Sequence, residues 1–208
     1  MHYYSKSTGG FYDSTIHTTW PEDVVEITAE YHATLLAGQA QGKTIMPGKD
    51  GKPLLTAPAP SHLHQWNGKE WVLDKAATSQ LLAESIDNGT KAINDLVDEA
   101  YHHVTRFWPE YQLREQQAVE YKAGGYKGEL PTQIAAFAEP TGKGNKEATD
   151  IVLAQAAKLR VTLEQLGILR MKKLELKNLK TAAEVDKRAA EIVAAIRPHL
   201  QELEKVGK

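Results

Sequence analysis

Two histidine pairs are the first residues whose types could do chemistry. His62-x-His64 and His102-His103 each bring imidazole nitrogens together, and imidazole is a common metal ligand. A metal site needs three or four converging ligands, and neither pair has a third at a recognisable spacing. On a helix His102 and His103 point about 100° apart, which works against their sharing one ion. Both pairs read as ordinary polar histidines. Thr141-Gly-Lys-Gly-Asn-Lys is a faint match to a phosphate loop. It lacks the Gly-Lys-Ser/Thr ending and a preceding strand, so it reads as a glycine loop. No Gly-x-Ser-x-Gly elbow occurs. The carboxylates mix with lysines in the manner of solvated helix faces. The expectation is a protein that is not an enzyme, with no catalytic residues, no metal and no cofactor.

What remains is chemistry of recognition, and its residues are aromatic. Tyr3-Tyr4 and Phe11-Tyr12 flank Ser7-Thr8-Gly9-Gly10, and Trp66 and Trp71 flank Asn67-Gly68-Lys69-Glu70. Each arrangement spells a hairpin, because glycine supplies the positive φ a tight turn needs and aromatics favour strands. Two readings stand side by side. The aromatics form a small core of cross-strand pairs, or some of them stay exposed to grip a partner, as aromatics do at interface cores. Tyr121 and Tyr126 surround a glycine pair, Gly124-Gly125. That stretch is a tight corner between helices or a loop placed for binding.

The composition bounds the setting. The chain has 208 residues, enough for one medium domain or two small ones. Its 25 Lys+Arg against 27 Asp+Glu leave a net charge of -2, so no nucleic-acid partner is expected. There are no cysteines, which excludes disulfides and thiol chemistry and fits a reducing compartment. Charged residues interrupt the opening residues before a signal-peptide core could form. No stretch approaches the ~20 apolar residues of a membrane span. The expectation is a soluble protein of the cytoplasm with no membrane partner.

The elements that must position the aromatics divide by composition. Residues 1–73 hold three of the four tryptophans and most of the prolines, and from Asp74 onward Ala, Leu, Glu and Lys dominate. The expected fold class is α+β. A small β-hairpin-rich region with one helix (1–73) precedes a mainly helical region (74–208) containing a long αα-hairpin. Thr28 is a predicted N-cap, Tyr31, Leu35 and Leu36 follow at helical spacing, and Gly38 is a predicted stop. A second hairpin is predicted in KTIMPGKDGKPLLTAP. Ala57-Pro58-Ala59-Pro60 is predicted to be stiff and extended.

In the helical region, apolar spacing predicts a helix over 79–108, with Asn88-Gly89 as a break or kink and Trp108-Pro109 as its end. Short helices follow at Tyr111–Lys122 and Thr132–Ala138, then a loop over 139–145. A long helix runs from Lys146 to Lys177, with Gly167 as a bend. Thr181-x-x-Glu184 is a capping box for a last helix. Pro198 lies near its end, and the final ten residues are expected to be solvated. The apolar stripe of the last two helices either packs on the 79–108 helix or stays free for another chain.

At this point a family pattern is visible. The opening YYSKSTGGFYD, then Ile16-His17, then PEDVVEITAEYHATLLAGQAQGKTI, then QWNGKEWV, resembles the tail fibre assembly proteins of tailed bacteriophages and their prophage relatives. The resemblance covers about residues 1–75; the helical remainder has no motif-by-motif match. It implies an accessory chaperone, encoded beside the tail fibre gene, that helps the C-terminal part of a trimeric fibre fold and trimerise. In some relatives the protein remains on the fibre tip and takes part in host-surface binding, and that is the alternative expectation here. The implied partner is the neighbouring fibre protein, with self-association through the C-terminal helices as a further expectation. The physics suits such a role. Interwound β trimers have many non-local contacts, fold slowly and expose sticky edges on the way. The expected contact residues are Tyr3, Tyr4, Phe11, Tyr12, Trp66 and Trp71, followed by Tyr121, Tyr126 and the stripe of the last two helices. The expected location is the cytoplasm of the bacterial host, or the particle at the fibre tip.

Overall fold

The computed structural model describes residues 1–206, leaving aside the side chains of 103 and 204–206, and the chain forms two compact units, Met1–Leu81 and Leu82 onward. The fold class is α+β, with short strands first and long helices after them.

In the first unit, strands β1 (His2–Ser5) and β2 (Phe11–Asp13) form the predicted hairpin. They are antiparallel, with Tyr3 opposite Tyr12 and Tyr4 opposite Phe11. Gly9 supplies the left-handed residue of the turn at φ +66. A third strand, β3 (Val24–Ile27), lies on the other edge of β1, giving the order β2-β1-β3. Ile27 therefore ends a strand, and helix α1 (Ala29–Ala40) starts after it, where the Thr28 hydroxyl caps Tyr31 N–H at 3.1 Å.

Gly38 does not stop α1. The helix continues to Ala40, and Gly38 is buried where a Cβ would lie 2.4 Å from Leu55 Cδ1. Its role is close approach, and the chain turns at Gly42, φ +85. The second predicted hairpin is present as β4 (Thr44–Pro47) and β5 (Pro53–Thr56), and the third as β6 (Gln65–Trp66) and β7 (Trp71–Val72). Helix α1 packs on β4 and β5. Tyr4, Ile27 and Leu35 form the centre of a small core, with Phe11, Val25, Ile45 and Leu55 packed around them.

Helix α2 (Lys75–Thr105) runs through Asn88-Gly89 without a break. Trp108-Pro109 opens the next helix, α3 (Trp108–Ala123), because proline in the first turn loses no intrahelical bond. Helix α4 (Thr132–Thr141) extends through Pro140 into the predicted loop and ends at Gly142, which is left-handed at φ 64. Helix α5 (Asn145–Met171) passes through Gly167 and is prolonged by a 3-10 helix, Lys172–Asn178.

Thr181 and Glu184 form the predicted capping box. The last helix, α6 (Ala182–Val206), continues past Pro198. Of the ten final residues expected to be solvated, Leu200 and Leu203 are buried, and the side chains from 204 onward lie outside the described residues. Burial of those two leucines offsets the backbone bond that Pro198 cannot donate.

Helices α5 and α6 pack together as the predicted hairpin, and their shared stripe is core. Leu159 and Leu166 of α5 meet Val185, Ile192 and Ile196 of α6 and Ile93 and Val97 of α2 in one cluster. That stripe is consequently not the free partner surface that helical spacing left open. A smaller core joins Ala118 of α3 and Ile134 of α4 to Ala148 and Val152 of α5.

Candidate functional site

The hairpin aromatics divide into buried and accessible members. In β1, alternate side chains face opposite sides of the sheet. Tyr4 points inward and is fully buried, so it is core and not a contact residue. Its hydroxyl has no partner among the described residues, and burial pushes its pKa up, with the nearby Asp23 charge adding to the shift. Tyr3 points the other way and stacks on Trp20, ring centres 5.4 Å apart and planes 23° from parallel. Tyr12, opposite Tyr3, is half-buried and holds Thr8 Oγ1 through its hydroxyl at 3.1 Å. Tyr3, Tyr12 and Trp20 thus present an aromatic surface on one face of the sheet.

On the other side Phe11 meets the His32 ring edge-on at 4.6 Å, and His2 stacks on His32 at 4.7 Å. Burial, reinforced by the neighbouring His2, lowers the His32 pKa. The His2 ring also pairs with Asp13 at 3.1 Å. Hydrogen bonds from the Thr15 hydroxyl and N–H hold the Asp13 carboxyl below the usual range. The β1–β2 turn is tied down by Asp23, whose carboxylate accepts from the Ser5 hydroxyl at 2.7 Å and from Ser7 N–H at 2.8 Å. The Ser5 bond is the main cause of the lowered Asp23 pKa.

The Trp hairpin is a second aromatic surface. Trp66 and Trp71 face each other across the strand pair, edge to face at 5.3 Å. Both indole N–H groups donate inward, Trp66 to the Pro47 carbonyl at 2.6 Å and Trp71 to the Ala57 carbonyl at 2.9 Å. Both rings are half-buried. They are anchored by their polar edges and leave part of each ring accessible, the usual arrangement of an aromatic contact residue.

Tyr121 and Tyr126 meet edge to face at 6.0 Å, but Tyr121 is buried in α3. Tyr126 has φ 59, a left-handed value uncommon for a side-chain-bearing residue. Its hydroxyl donates to Asp150 Oδ1 at 2.8 Å, and the Lys122 ammonium donates to the same oxygen at 2.8 Å. These two bonds lower the Asp150 pKa and raise those of Lys122 and Tyr126. The corner is thereby clamped to α5 through the Tyr126 hydroxyl, while Tyr121 is taken up by burial in α3.

The sequence reading missed Trp20, His32 and Asp23, which lie outside the aromatic pairs and meet them only through the fold. It also missed a slot of about 60 Å³ between α3 and α5, walled by Trp108, Tyr111, Arg114, Val152, Leu159 and Arg160. That volume holds a few waters or the tip of one side chain.

The His64 ring nitrogen is 2.7 Å from the Ser61 hydroxyl, and the His103 side chain lies outside the described residues. No group of three or more metal-binding side chains converges among the described residues. The glycine loop at Thr141 is the joint between α4 and α5, with Lys143 paired to Glu147 at 2.7 Å. None of the described helices is long and apolar enough to cross a membrane.

No protein-family model and no solved structure matches the chain. Two curated phage proteins do. One, a 23.3 kDa protein of the lys 3′ region of Haemophilus phage HP1, is 38% identical over 119 residues, covering 57% of this chain and 60% of that protein. The other, named "probable tail fiber assembly protein" in Shigella phage SfV, is 34% identical over 101 residues, covering 47% of this chain and 56% of that protein. In both, the chain spans less than two thirds of the relative's length. The chain is thus similar to phage proteins, one of them named for tail fibre assembly, which supports the resemblance carried by its first 75 or so residues.

Proposed function

We propose that this protein is a tail fibre assembly chaperone. It binds the C-terminal part of a phage or phage-tail-like fibre and promotes its folding and trimerisation in the cytoplasm of the bacterial host, without catalysis or a cofactor. Residues 1–73 act as the fibre-assembly domain and 74–208 as a helical domain. The observation that carries this reading is the similarity to the Shigella phage SfV protein. The two aromatic surfaces of the first unit support it, because rings anchored at one edge give rigid apolar contact area at little entropic cost. The contact residues in this reading are Tyr3, Phe11, Tyr12, Trp66 and Trp71, with Trp20 added.

Co-expression with the fibre gene lying beside this one, followed by size-exclusion chromatography with light scattering, tests the proposal. Soluble fibre trimer that appears only in the presence of the chain supports it. Fibre that trimerises equally well alone removes it.

A second reading, retention at the fibre tip with a part in host-surface binding, draws on the Tyr3–Trp20 stack. Trp20 remains 41% exposed there, and flat aromatic surfaces suit sugar rings. Its test is whether the chain is present in purified particles and binds cells directly.

A further inference from the structure

Helix α5 carries apolar side chains on two faces. One face, with Val152, Leu159 and Leu166, is core. The other holds Ala154, Ala157, Val161, Ile168 and Met171, all exposed, with Val161 at 58%, Met171 at 52% and Ile168 at 49%. A step of 100° per residue places these five within an arc of roughly 100°, and their spacing of 3, 4, 7 and 3 is that of a coiled-coil seam. The seam is interrupted once, by Glu164, whose carboxylate has no partner among the described residues. Arg160 flanks it and pairs with Glu115 of α3.

We propose that this face is a homodimer interface in which α5 packs antiparallel on α5 of a second copy, about a two-fold axis between Thr162 and Leu163. The stripe is complementary to itself only when reversed. Its N-terminal half is small (Ala154, Ala157) and its C-terminal half is large (Ile168, Met171). In the antiparallel register Ala157 lies opposite Ile168 of the second copy and Ala154 opposite Met171. These outer layers each match a small residue with a large one, as close packing requires, and the central layers set Val161 of one copy against Glu164 of the other. A parallel register would instead stack Ala on Ala and Met on Met, leaving gaps at one end. The charges agree with the reversed register. Within the seam Glu164 of one copy comes beside Arg160 at the edge of the other, twice by symmetry, so the carboxylate gains a cation that it shares with Glu115. A partner of unrelated sequence would not explain why size and charge complement each other about one point of the same helix. The inference is independent of the fibre reading.

The 208-residue chain tests this directly, because it has no cysteine of its own. Light scattering across a concentration series should show a species of twice the 23.0 kDa chain mass. Val161→Glu and Ile168→Lys should each remove that species while leaving the helical circular dichroism unchanged. Under mild oxidation, a mixture of Ala157→Cys and Ile168→Cys chains should form a mixed disulfide, and neither variant alone should cross-link. A monomer at every concentration overturns the proposal, including one that captures fibre protein through this face. So does a dimer that survives Val161→Glu, or an Ala157→Cys chain that cross-links to itself, which would mean a parallel pair.

Discussion

Gly89 of α2 and Ala189 of α6 touch so closely that a Cβ placed on Gly89 would lie 2.9 Å from the Ala189 Cβ, with Leu176 Cδ1 at 3.1 Å. Two helix backbones meet here, and neither methyl can swing away. Gly89→Ala gains up to about 1 kcal/mol of helix propensity. It meets an overpacking cost of about 1–3 kcal/mol. The expected net result is a less stable protein, read as a lower denaturant midpoint at unchanged slope. An increase in stability would mean that the two helices do not approach at this point.

Tyr4 gives the opposite prediction. Its ring is the centre of the first core, but its hydroxyl is buried without a partner. A buried donor left unpaired is costly, so removing it relieves the fold. Tyr4→Phe should be neutral or stabilising by up to about 1 kcal/mol. Calorimetry of the variant checks this, and a clear loss of stability would reveal a hidden partner for the hydroxyl. Tyr4→Ala, by contrast, should cost about 3–5 kcal/mol through lost burial and the cavity left behind.

Asp23 links the β1–β2 turn to acid sensitivity. Hydrogen bonds from Ser5 and Ser7 hold its carboxyl below the ordinary 3.8. The native state therefore binds this proton less readily than the unfolded chain does. The stabilisation is fully present above the ordinary carboxylate value and is lost as pH falls through the lowered native value. Thermal melts of Asp23→Asn and the parent chain should differ at neutral pH and converge as the solution is acidified below that value. A gap that stays constant with pH would show that the carboxylate charge is not what matters.

Trp66→Ala and Trp71→Ala separate contact from core. Each removes an edge-anchored ring of the β6–β7 hairpin, which belongs to the first compact unit and not to the helical unit that starts at Leu82. The helical circular dichroism should persist and fibre binding should fall by at least about tenfold, the loss of a hot-spot aromatic. Normal folding with unchanged fibre binding would reduce the hairpin to a packing element.

The hairpins were legible because their signals are local. Aromatic pairs on either side of Gly9 and Gly68 state both the strand and its turn, and Thr181 with Glu184 states a helix start within four residues. Glycine and proline inside helices were misread for the complementary reason. Gly38 and Gly89 have the residue type of a stop, but their function is to admit Leu55 and Ala189, which are distant in sequence. Pro140 and Pro198 both look like ends; α4 does stop one residue after Pro140, whereas burial of Leu200 and Leu203 carries α6 past Pro198. The same distance limit hid Trp20 and His32 from the candidate site, since each joins the aromatic pairs only after the sheet and α1 have formed. It also left the α5–α6 stripe ambiguous between core and free surface until α2 was seen to cover it.

The most direct measurement is refolding of the purified, denatured C-terminal part of the neighbouring fibre, diluted with and without stoichiometric chain, with the yield of soluble trimer read by light scattering. The chaperone role requires that yield rises with added chain, reaches a plateau at a fixed ratio of chain to fibre, and needs no nucleotide. A yield independent of the chain would contradict it.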